Sequence, residues 1–123
     1  MTMTNPKNKI NMILQMMQAC KNIMSATSGV LTPEDFDKQD FVMENVEMCL
    51  TIILETYGEL SRNEDDKLEF IHCEDLTKYA GILKLDKSQI DKAQLLYTCK
   101  NEIPSLKEKI EKFAEKYRIS QDR

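Results

Sequence analysis

At 123 residues the chain has the length of one domain and can bury roughly two-thirds of its unfolded surface, enough for a core without metal or disulfide staples. Hydrophobic residues make up 41% and charged residues 31%, while three Gly, three Pro and no Trp leave little material for a turn-rich β fold. The formal charge is −4, no apolar run approaches the ~20 residues of a membrane span, and Met1 to Lys9 lacks a signal-peptide hydrophobic region, so the expectation is a cytoplasmic protein with no membrane segment.

The first helix is expected from Pro6 to about Thr27: Asn5 can cap it, Pro6 suits the first helical position, and Gly29 can take the left-handed stop. Ile10, Ile13, Leu14, Met17, Cys20 and Met24 recur at three- and four-residue steps and form one apolar face, which Met12, Met16 and Ile23 widen. The methionines suit an irregular core, or alternatively an adaptable binding surface. Thr32-Pro33-Glu34-Asp35 reads as a helix start, with a Thr cap, Pro in the first turn and two carboxylates at the positive end of the helix dipole.

A main helix follows over roughly 38–61. Val42, Val46, Cys49, Leu50, Ile53, Tyr57 and Leu60 make its principal stripe, and Phe41, Met48, Ile52 and Leu54 spread apolar character over most of its circumference. Such a helix belongs at the centre of a bundle, and Phe41, Met48, Ile52 and Leu54 are the candidate face for a second subunit or a partner.

Residues 62–66 form a polar break, and Leu68, Phe70, Ile71, Leu76, Tyr79, Ala80, Ile82 and Leu83 suggest a third helix that Gly81 weakens near its end. Asp86-Lys-Ser-Gln89 has capping-box spacing and opens a fourth helix through Ile90, Ala93, Leu96 and Tyr97. Pro104 then either kinks that helix or starts a fifth with Leu106, Ile110, Phe113 and Tyr117. The expected fold is all-α, an up-down helical bundle of four to five helices in a single domain spanning 1–123.

Charge and cysteine usage narrow the chemistry. Residues 34–75 carry fourteen acidic and three basic side chains, and residues 76–123 carry seven acidic and eleven basic, an asymmetry that can steer self-association or an RNA partner. The signs intermix from Lys107 to Lys116, as on a solvated helix face, so no clear basic patch supports RNA. Cys20, Cys49, Cys73 and Cys99 lack the close spacing of zinc or redox motifs and read as reduced thiols packed in the interior.

His72 is the one histidine. Glu69-x-x-His72 is half of a di-iron motif, but the other half needs a second histidine, so no metal is expected. A histidine hydrogen-bonded to a carboxylate is the plainer reading. Three scattered glycines cannot build a phosphate loop or a dinucleotide cradle, and no cofactor is expected.

Three phrases resemble the HEPN superfamily, specifically HepT-like helical proteins of toxin and antitoxin systems. They are the opening amphipathic segment Ile10 to Met24, the Leu-Thr-Pro-Glu-Asp-Phe run from Leu31 to Phe36 leading into the long helix that ends at Glu59-Leu-Ser61, and the closing run Asn101-Glu-Ile-Pro-Ser-Leu-Lys-Glu-Lys-Ile110. The resemblance implies a homodimer of helical bundles, a nucleotidyltransferase-type protein partner, and a metal-independent ribonuclease site in which an Arg and a His four to six residues later act across the subunit interface. This chain departs from that pattern, because neither Arg nor His occurs from Cys73 to Asn101.

The nearest substitute is Lys67 with His72, about a dozen residues early, and Lys lacks the bidentate fork that Arg offers phosphate. A tyrosine after the histidine, which some relatives present for modification, has Tyr79 as its candidate here. The sequence therefore points to a degenerate, non-catalytic homodimeric binding subunit. The alternatives are an active ribonuclease using His72 and Lys67, and an unrelated helical adaptor or effector module whose Met-rich first helix fills a partner's groove.

Overall fold

The computed structural model describes residues 6–62 and 73–121. They form an all-α bundle: α1 (Pro6–Ala26), the one-turn α2 (Asp35–Lys38), α3 (Asp40–Arg62), α4 (Cys73–Leu83), a 3-10 turn (Lys87–Gln89), α5 (Lys92–Tyr97), a π-helical turn (Thr98–Glu102) and α6 (Ile103–Gln121). No strand occurs among the described residues.

The apolar periodicity of α1 buries Ile13, Met16, Ala19, Cys20 and Ile23 against both α3 and α6. This helix, rather than α3, thus lies between two long neighbours, while α3 packs on α1, α2 and α4. Val42, Met43, Val46, Cys49, Leu50, Ile53 and Leu60 supply the buried side of α3. Ile103, Leu106, Ile110 and Ala114 supply that of α6. These residues join one core with Val30, Phe36, Tyr79 and Leu95.

The end of α1 departs from the glycine stop expected at Gly29, since no glycine takes a positive φ. The final carbonyls find other partners. Thr27 donates its hydroxyl to the Ile23 carbonyl at 2.8 Å, and the Thr27 carbonyl accepts from the Val30 N–H at 3.0 Å and from Lys100 Nζ at 2.5 Å. A lysine reaching from the π turn satisfies the helix end, and its charge suits the negative end of the dipole.

Helix α2 is capped in the reverse sense to the one expected, because Thr32 makes no side-chain cap. Asp35 Oδ2 instead reaches back to accept from the Leu31 and Thr32 N–H groups at 2.9 and 3.0 Å. Those two backbone bonds, with Lys38 beside them at 3.3 Å, hold the Asp35 carboxyl at about 2, below its ordinary 3.8. The folded chain therefore binds fewer protons at this group than the unfolded chain, so its stabilising effect is present above pH 3.8 and fades as pH falls through about 2. Thermal melts of wild type and Asp35→Ala are expected to differ above that window and to converge below it; a constant difference would place the effect elsewhere.

Asp86 and Gln89 form half of the expected box, with the Asp86 N–H donating to Gln89 Oε1 at 3.2 Å, but it closes only the 3-10 turn. Helix α5 starts later, where Asp91 Oδ1 accepts from the Gln94 N–H at 3.1 Å. An ion pair between Lys92 and Asp37 then ties this start to α2.

Pro104 lies in the first turn of α6, in keeping with the helix start that the sequence allowed there. It brings no N–H, and its ring would crowd the Lys100 carbonyl in a regular α-helix. The π turn immediately before it widens the hydrogen-bond register and lets α5 run into α6 as one rod.

Among the described residues no helix is long and apolar enough to cross a membrane. Cys20, Cys49 and Cys99 are free and buried, and burial pushes the Cys20 and Cys99 thiols up to about 12 and raises that of Cys49. They are packing groups rather than nucleophiles, as the sequence suggested.

Candidate functional site

Two places on the bundle carry more than packing. The first is the outer face of α3. At 100° per residue Phe41, Asn45, Met48, Ile52 and Glu59 fall in one strip opposite the buried stripe, with Glu44 and Glu55 along one edge. Phe41 is 69% exposed, Met48 63% and Ile52 37%.

Leu54 separates from them, because it sits about 120° round the helix from Met48 and is half-buried against the core. Ile52 continues onto α1 through a shallow groove lined by Gln15, Gln18, Ala19 and Asn22. Gln18 Nε2 donates to Asn22 Oδ1 at 2.9 Å along that wall. An apolar strip with uncharged amides on one flank and carboxylates on the other has the anatomy of a protein contact, an apolar centre within a polar rim.

The second place is a cleft of about 250 Å³ beside the π turn, lined by Tyr79, Tyr97, Asn101, Glu102, Ser105, Leu106 and Lys109. Four of these, Tyr97, Asn101, Ser105 and Lys109, follow one another at four-residue steps along the α5–α6 rod. The wider turn between Thr98 and Glu102 sets their phase: one residue more or fewer would rotate Tyr97 by roughly 100° relative to Ser105 and Lys109. Asn101 Nδ2 donates to the Tyr97 carbonyl at 3.3 Å, which leaves its Oδ1 able to accept.

Behind the row, Lys78 on α4 donates to Glu102 Oε2 at 2.5 Å. Burial alone would raise the Glu102 carboxyl, but hydrogen bonding from Lys78 and the nearby Thr98 hydroxyl holds it below its usual range, so it stays ionised. Its other oxygen and the Thr98 hydroxyl are both buried behind the row. π turns of this kind concentrate at functional sites.

The residues singled out for catalysis are not all open to inspection. His72 and Lys67 lie outside the described residues. Tyr79 is buried, at 2% exposure, and lines the cleft from α4. Among the described residues no three His, Cys, Asp or Glu side chains group as metal ligands.

The row from Tyr97 to Lys109 escapes a reading of the sequence that divides the chain at Pro104. Its four-residue spacing is visible in the sequence, but only the continuous rod makes it one face. No protein-family model, curated protein or solved structure matches the chain.

Proposed function

We propose that the chain is a non-catalytic binding subunit of the HEPN and HepT-like kind that works as a homodimer, with the outer face of α3 as the contact between copies. The observation that carries this reading is the exposure of Phe41, Met48 and Ile52 on one strip of a helix whose opposite side is fully packed. Eleven residues separate Phe41 from Ile52, about 16 Å of apolar surface along the helix, and the amides of α1 extend it sideways. C2 pairing uses one self-complementary patch on both copies, so a single such strip suffices.

The reading also draws on where the three phrases of the resemblance lie along the chain. An amphipathic α1 is followed by the Leu31 to Phe36 phrase, whose Phe36 docks in the core; then comes the long α3, and the Asn101 to Ile110 phrase opens the closing helix. The chemistry of a ribonuclease is not supported, because the Arg and His that would hold phosphate and move its proton are absent from Cys73 to Asn101. A nucleotidyltransferase-type protein remains the partner that the resemblance implies, bound through surface contact rather than through modification of the buried Tyr79.

Light scattering at micromolar concentration tests the dimer. Incubation of the purified chain with RNA, beside His72→Ala, tests the absence of catalysis: the expected result is no cleavage by either. Cleavage by the wild type that His72→Ala abolishes would replace this reading with the ribonuclease one.

A further inference from the structure

We propose that the cleft on the α5–α6 rod is a binding site for a small aromatic carboxylate carrying a hydrogen-bond donor on its ring. The inference is independent of the dimer, since the cleft is built by α4, the end of α5, the π turn and α6 and the proposed contact by α3 and α1. The cleft, of about 250 Å³, is somewhat smaller than the usual range for drug-sized ligands and suits a molecule of one ring.

Its charge selects the ligand's charge. Glu102 is neutralised by Lys78, and Lys109 makes no ion pair among the described residues, so the row presents one uncompensated cation. A phosphate dianion is poorly served, because the site has no arginine fork, and α6 begins as the continuation of a helix and offers no row of free N–H groups. A single carboxylate matches a single ammonium with the Ser105 hydroxyl one turn away.

At the other end, Tyr97 is 56% exposed and offers a flat aromatic face for offset stacking. Asn101 Oδ1, left over from the bond that pins the amide nitrogen to the Tyr97 carbonyl, accepts from a ring hydroxyl. Asn101 and Lys109 stand eight residues apart, about 12 Å of helix rise, and helical side chains lean toward the N-terminus, so the reach of Lys109 toward Ser105 brings the two ends within the span of a hydroxybenzoate.

The test is titration of the full chain, followed by heteronuclear NMR, with 4-hydroxybenzoate, its neutral analogue 4-hydroxybenzamide and inorganic phosphate. The expected result is saturable binding of 4-hydroxybenzoate with shifts centred on Tyr97, Asn101, Ser105 and Lys109. The benzamide and phosphate are each expected to bind at least about tenfold more weakly, and Lys109→Met to cost 4-hydroxybenzoate about tenfold or more at unchanged helicity. Tyr97→Ala, also on an exposed position, is expected to weaken the carboxylate severalfold. The proposal is overturned if 4-hydroxybenzoate does not saturate, if Lys109→Met binds it as wild type does, or if phosphate binds equally well.

Discussion

Phe36→Ala is expected to lower the free energy of unfolding by about 3–5 kcal/mol, the range for removing a buried phenyl ring. Phe36 is 1% exposed although it belongs to a helix of only four residues. So short a helix has no stability of its own, because one turn cannot offset the cost of its nucleation. It persists because the ring is seated in the core, while Asp35 holds the incoming backbone and Lys92 pairs with Asp37 on the outer side. Since a domain of this size has only about 5–15 kcal/mol in total, the substitution takes away a large share. Urea denaturation followed by circular dichroism measures it, and a loss under about 1 kcal/mol would show that the segment docks without holding the bundle together.

Met48→Asp is expected to separate the copies without unfolding either. Met48 is 63% exposed in the single chain, so a carboxylate there is hydrated in the monomer and costs the helix only its modest propensity difference. In a contact between two copies the same carboxylate is buried near its symmetry mate, and no Lys or Arg lies among Phe41, Asn45, Met48, Ile52 and Glu59 to pair it. An uncompensated buried charge costs about 3–5 kcal/mol, or upwards of about 100-fold in the dissociation constant. The variant should keep wild-type helicity and melt cooperatively, while its mass in solution falls to that of one chain. Retention of a dimer by Met48→Asp would move the contact to another face.

The long helices were legible because their apolar residues recur at helical spacing and the core accepts the stripes as written, as Ile13, Met16, Cys20 and Ile23 show in α1. The places that the sequence left open are those where a distant partner decides. Gly29 was free to stop α1, but Lys100, seventy-three residues away, satisfies the Thr27 carbonyl instead. Thr32 had cap chemistry, and Asp35 took the role from the other side because its carboxylate accepts two N–H groups at once.

Pro104 offered a kink or a start; it stands in the first turn of α6, and the π turn before it was not legible. That turn aligned Tyr97 with Asn101, Ser105 and Lys109, so the cleft depends on a register that helical spacing alone does not specify. The α3 strip was legible in Phe41, Met48 and Ile52. Leu54 was not separable from them by composition, only by its angle on the helix and the core beside it.

The most direct measurement of the account is the solution mass of the unmodified chain by light scattering at micromolar concentration. Association through α3 predicts twice the 14.3 kDa of one chain, shifting to a single chain's mass for Met48→Asp. A wild-type mass of one chain across that range would contradict it.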